Sequence, residues 1–280
     1  MVLVAACTEA DRDELRGGLY FVSGNYLAML DLRDGSTSVV SNLGDVNIQS
    51  LSPQLGARLL LNVLDSEEHQ DRRLLVLYDI ASRQTHTLLS GRNGHYLPGT
   101  RTLVYDDGTD IVLTEKIRGT WQRTSVAKHR YNERIAVMPI SATRFIYRIG
   151  DGPWVVYDKT ADRSIELTAL ESVCRMDRAL WFADREQMLC QVGGDGGQFA
   201  YSFVGLDGAV AEQLPLPPAH DLRPLVFVPD QQVLLLTERW QGRLASRAKW
   251  GVWAYRFETK EAYRLFDDQY LGDSVYYVPD

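Results

Sequence analysis

Six polar side chains recur along the chain at nearly even intervals: Asn47, Arg92, Glu133, Asp177, Arg223 and Asp273. Each stands six residues before a turn marker, the markers being Pro53, Pro98, Pro139, Ala183, Pro229 and Pro279. Two residues before each marker the side chain is instead bulky and apolar: Leu51, Tyr96, Val137, Trp181, Phe227 and Tyr277. Brought together, the six polar groups make a mixed-charge ring. One reading is a binding site in which Arg92 and Arg223 hold a peptide segment or small ligand. A second is a ring that satisfies itself by Arg–carboxylate pairing. A third has Glu133, Asp177 and Asp273 converging on one metal ion, with Asn47 as an amide ligand. Zinc wants three or four converging ligands, and the two arginines would bring positive charge close to any ion, so no metal site is assigned. His95, His129 and His220 fall in the same strand-leading segments, and His95 joins the candidate binding set.

The elements that must position these residues are hairpins. The markers lie 45, 41, 44, 46 and 50 residues apart, counted from Pro53 to Pro279, which is the length of a four-stranded propeller blade. Around each marker an apolar strand, a polar turn and a second apolar strand follow one another, as in "RPLVFVPDQQVLLL". A second hairpin follows in most units, as in "LLVLYDIASRQTHTLL", with Asp31, Asp79, Asp158 and Asp207 capping the turn after the third strand. The segment "GLYFVSGNYLAMLDLRDGSTSVV" holds strands two to four of a blade, whereas "DSVYYVPD" is a first strand alone. Joining them completes a sixth unit. The expected fold is therefore all-β, a six-bladed β-propeller of four-stranded antiparallel blades. The C-terminal strand joins the N-terminal blade and closes the ring, which removes an exposed seam. Residues 1–17 form a leader and tether, and 18–280 one propeller domain.

The Pro-Asp hairpin, kept whole at Pro229-Asp230 and Pro279-Asp280, with Ser52-Pro53 retaining the serine, resembles the repeat of TolB-like propellers. That resemblance implies a bacterial six-bladed propeller of the cell envelope that docks other proteins; it specifies no substrate. The N-terminal "LVAAC" resembles the lipobox of bacterial lipoproteins, which implies lipidation of Cys7, a periplasmic location and anchoring to the outer membrane. The short segment before Cys7 lacks a positive n-region and a full apolar stretch, as a truncated or misassigned start would.

Composition limits the alternatives. The 280 residues carry a net charge of −7, so no general basic footprint for nucleic acid or anionic lipid exists. No run approaches the roughly 18 apolar residues of a membrane span, so the membrane enters only through Cys7. Two long loops extend from the ring's face. "DSEEHQDRR" is acidic, and "ERWQGRLASRAKW" carries Arg239, Trp240 and Trp250, residue types enriched at binding hot spots. "DDGTD" reads as a hairpin turn, and "GGDGGQ" lacks the helix that a phosphate cradle needs. Cys174 and Cys190 are expected as separate buried thiols, since they are not opposed around the Ala183 turn. The sequence thus points to a monomeric, cofactor-free propeller that binds a protein through the channel mouth. The alternative is a metal-assisted hydrolase or sugar-acting lyase at the same mouth.

Overall fold

Short apolar runs bounded by turn residues give 24 strands in a computed structural model of the chain, in which residues 15–44, 46–54, 57–65, 72–118, 120–193, 199–217, 222–240, 249–267, 271 and 274–280 are described, excepting the side chains of 177, 178, 199, 239, 240 and 249. The first sheet holds β1 (Gly18–Ser23), β2 (Tyr26–Asp31) and β3 (Thr37–Asn42). The second runs through β4 (Asn47–Gln54), β5 (Arg58–Asp65), β6 (Arg72–Asp79) and β7 (Gln84–Ser90). The third comprises β8 (Arg92–Tyr96), β9 (Leu103–Asp106), β10 (Asp110–Ile117) and β11 (Thr120–Lys128). The fourth comprises β12 (Ile135–Pro139), β13 (Arg144–Ile149), β14 (Val155–Asp158) and β15 (Arg163–Glu166). A short helix, α1 (Thr168–Val173), leads into the fifth, made of β16 (Arg175–Phe182), β17 (Gln187–Gly193), β18 (Phe199–Val204) and β19 (Val210–Gln213). The sixth holds β20 (Leu222–Val228), β21 (Val233–Trp240), β22 (Lys249–Arg256) and β23 (Glu261–Asp267), and β24 (Val275–Val278) returns to the first sheet beside β1. These are the six antiparallel blades of a β-propeller, each a meander in sequence order.

The burial pattern explains why the inner strands read as unbroken apolar runs. Leu59, Leu60 and Leu61 in β5, like Leu234, Leu235 and Leu236 in β21, are wholly enclosed, because both faces of an inner strand meet packed side chains. The last strand of each blade is the outer one: β15 is exposed throughout and β7 nearly so. The four aspartates do cap the third-strand turns. Asp31, Asp79, Asp158 and Asp207 each accept a backbone N–H two or three residues on, at 2.8–3.0 Å.

The contacts divide the chain into two compact units. One, residues 22–27 and 39–168, holds blades two to four. Its core runs through Leu60, Leu75, Tyr96, Leu103 and Val112, and then through Val104, Leu113, Phe145 and Tyr157. The other unit, residues 1–21, 28–38 and 169–280, holds blades five and six and the pairing of β24 with β1. Gly18 lies opposite Val278 and Phe21 opposite Val275, so the C-terminal strand completes the first blade. The Pro229-Asp230 turn clasps this junction. The Tyr277 hydroxyl donates to Asp230 Oδ2 at 2.9 Å, and Gln231 Nε2 donates to that hydroxyl and to the Arg16 carbonyl. Gly17 is required there: its φ is +92°, and a Cβ would lie 2.6 Å from the Tyr277 ring.

Cys174 and Cys190 form a disulfide, which corrects the expectation of separate thiols. The reason is a slip in β16. Arg175 lies opposite Gln191 and Leu180 opposite Leu189, so four residues of β16 face one of β17. Counting outward from the Ala183 turn assumes a straight hairpin. The bulge brings Cys174 alongside β17, with 5.6 Å between the two Cα atoms.

Candidate functional site

The site builds from an irregularity in β8. Arg92 lies opposite Asp106 but His95 opposite Val104, so one extra residue bulges between them. Asn93 takes a left-handed φ of +50° to make this turn. Gly94 follows because nothing larger fits: a Cβ would sit 2.7 Å from the Leu75 methyls and 3.2 Å from Leu60. Its backbone is gripped from blade two. The Gly94 N–H donates to Asn62 Oδ1 at 2.6 Å, and its carbonyl accepts from Asn62 Nδ2 and from the Ser52 hydroxyl. Asn62 and Ser52 are buried, so this clamp replaces the ladder bonds the bulge forfeits.

The bulge turns Arg92 onto Asp106. Asp106 is fully enclosed and acts as a hub. Its Oδ2 accepts from Arg92 Nε, and its Oδ1 accepts the Gly108 N–H at 2.7 Å and faces His129 Nε2 at 2.9 Å. Arg92 Nη2 donates onward to the Glu133 carbonyl at 3.3 Å, and Asn93 Nδ2 to the Ile135 carbonyl at 3.0 Å. His129 Nδ1 meets the Arg130 carbonyl at 2.9 Å, and the Glu133 carboxylate accepts the Arg130 N–H at 2.7 Å. One buried carboxylate thus ties together the start of β8, the β9–β10 turn and the β11–β12 connection. Charge-assisted bonds of this kind are short and directional, so the three loops are braced against one another.

Beside this hub lies a cleft of about 520 Å³, whose lining includes Arg73, Arg92, Asp107, Gly108 and Tyr131. It adjoins a second cleft of about 430 Å³ that shares Arg73, Gly91 and Arg92 and is floored by Val63 and Leu64. Gly91 joins the walls: its N–H donates to the Arg73 carbonyl at 2.9 Å, and a Cβ there would strike the Tyr105 ring at 2.6 Å. Tyr131 stands 75% exposed at the lip.

The expected ring residues fare differently. Arg92 is at the site but mostly buried, its side chain 14% exposed. Glu133 lies nearby, engaged by the Arg130 N–H, and Asn47 is exposed at the start of β4. His95 is part-buried on β8, and burial pushes its pKa down to about 4, so it is neutral and no cation is available there. Arg223 and Trp250 are part-buried in blade six, in the other unit. Asp273, the Asp177, Arg239 and Trp240 side chains, the acidic loop centre and Cys7 lie outside the described residues. Among the described residues no three His, Cys, Asp or Glu side chains cluster as metal ligands.

The sequence reading missed Asp106, Arg73 and Tyr131, and took Asp106 only as part of a turn. A signal was present: a carboxylate ends the otherwise apolar strand "LVYD", and a buried carboxylate demands a partner. The turn reading also holds, since Asp107 Oδ1 accepts the Thr109 and Asp110 N–H groups, and Asp107 pairs with Arg123.

No protein-family model matches the chain, and no curated protein matches it. Among solved structures the chain is similar to TolB from Acinetobacter baumannii, with a TM-score of 0.59 and 13% identity over 92% of this chain and 65% of that one. It thus spans less than two thirds of that relative. It is also similar to a putative TolB from Agrobacterium tumefaciens, with a TM-score of 0.59 and 15% identity over 95% and 99% of the two chains. Prolyl endopeptidases match at 0.50 and 10% identity, over 92% of this chain and 49% of theirs. The fold is that of the TolB-like β-propellers, and at these identities the likeness is one of fold.

Proposed function

We propose that the chain is a non-catalytic docking propeller of a bacterial cell envelope, which receives a protein partner at the cleft beside Arg92. The observation that carries this reading is the engaged state of the histidine at the hub. Both ring nitrogens of His129 are engaged within the fold, by Asp106 and by the Arg130 carbonyl, so neither is free to move a proton for a substrate. What the hub does instead is hold three loops rigid, which lowers the ordering cost of binding at their tips. Similarity of fold to TolB proteins supports an envelope location. So does the Cys174–Cys190 disulfide, because such bonds persist in oxidising compartments. Lipidation at Cys7 would complete the placement, on the periplasmic side of the outer membrane.

The test is affinity capture from a membrane-envelope extract with wild type and a Tyr131→Ala variant of confirmed fold. A partner retained by wild type and lost by the variant supports docking at this lip. Equal capture by both moves the interface elsewhere on the propeller. Labelling with a radioactive fatty acid, lost in Cys7→Ala, checks the anchor; no label on the wild type removes it.

A further inference from the structure

We propose that the cleft takes the carboxylate side chain of an acidic peptide segment, with Arg73 as the cation that holds it; this rests on the docking reading above and names the chemistry of the partner. The argument is an accounting of charge. Each carboxylate that lines the cleft is already paired with a guanidinium inside the fold: Asp106 with Arg92, Asp107 with Arg123. Arg92, the inner cation, is correspondingly occupied. Arg73 is exposed, and among the described residues its guanidinium has no carboxylate partner. Arg73 lines both clefts, so a chain lying from one to the other passes over it.

The remaining groups at the rim suit a peptide. Ser90 is exposed and offers a hydroxyl, and Tyr131 presents a ring to solvent. Val63 and Leu64 supply an apolar wall in the adjoining cleft. One guanidinium without a carboxylate partner among the described residues matches one carboxylate, while a polyanion would be repelled by a chain of net charge −7. Arg presents a planar fork that carboxylates fill in a bidentate way, which makes it more selective than a point charge.

The experiment uses a labelled octapeptide of Ala and Ser with blocked ends and one central Glu, its counterpart with Gln in that place, and inorganic phosphate as competitor, read by fluorescence anisotropy at low and moderate salt. The Glu peptide is expected to bind and the Gln peptide not to. Arg73→Gln should weaken the Glu peptide about tenfold, the scale of one charge-assisted contact. Arg101→Gln, exposed at the opposite end of blade three, should change nothing. Equal binding of the two peptides, binding of neither, an unchanged Arg73→Gln variant, or displacement by phosphate at concentrations that match the peptide's would each overturn the inference. A captured partner that needs Tyr131 but not Arg73 would leave docking standing and sink the acidic segment alone.

Discussion

Blade three carries a carboxylate-centred cluster at each end, and the two behave differently. At one end Asp106 gathers Arg92, His129 and the Gly108 N–H. At the other, Glu115 gathers the Thr102 hydroxyl and Lys159, which hold its pKa below the usual range, Lys159 contributing most. The inventories are alike: an acid, a cation and a neutral donor. Exposure separates them. Asp106 is sealed, whereas the Glu115 and Lys159 side chains are 33% and 35% exposed. Water can replace Lys159, but nothing replaces Arg92. An ion cluster becomes a brace when solvent cannot substitute for its members, and only the braced end adjoins the clefts.

Four substitutions or conditions sharpen this contrast. Asp106→Ala leaves the mostly buried Arg92 without its anion and His129 Nε2 without its partner, and should cost about 3–5 kcal/mol of unfolding free energy in denaturant titration. A loss as small as that of Glu115→Ala would erase the distinction between the ends. Acid comes next, through His95 on the strand that leaves the hub. Its pKa is about 4 in the fold against the usual 6.5, so the unfolded chain takes up the proton first. Stability from this group is complete above pH 6.5 and declines as pH falls toward 4, by about 3 kcal/mol. The stability difference between wild type and His95→Gln should trace that decline, and a flat difference would mean the imidazole is hydrated.

Gly94→Ala forces a methyl against Leu75 and Leu60 and should cost about 1–3 kcal/mol. Because the bulge aims Arg92, it should also weaken any ligand of the cleft; thermal unfolding and peptide binding read the two effects separately. Lys159→Met should cost less than about 1 kcal/mol, and less still in high salt, as exposed pairs do. A larger loss would make the open end a second brace.

The blade count was legible because a strand–turn–strand segment recurs at nearly even spacing, and because β24 and β1 each lack what the other supplies. The site was only partly legible. Counting six residues back from each marker assumes a straight strand, yet β4, β8, β16 and β20 all slip register, between Ile48 and Ser50, Arg92 and His95, Arg175 and Leu180, and Pro224 and Val226. β12 runs without a slip, and there the count overshoots the strand to Glu133, before Ile135. A bulge depends on whether a neighbouring blade can grip it, as Asn62 grips Gly94. That grip joins residues distant in sequence, so no local pattern announces it. Arg92 was reached by the count back from Pro98; Asp106 was hidden in a turn it also serves.

The pairing of Gly18 with Val278 has a consequence for how the molecule is made. During synthesis blades two to six can assemble in order as each meander leaves the ribosome, but blade one cannot. Until β24 emerges, β1 presents a bare edge that any other strand could zip onto. The first sheet begun is therefore the last one finished, and the newborn chain is most exposed to chaperones, proteases and its own copies in that interval.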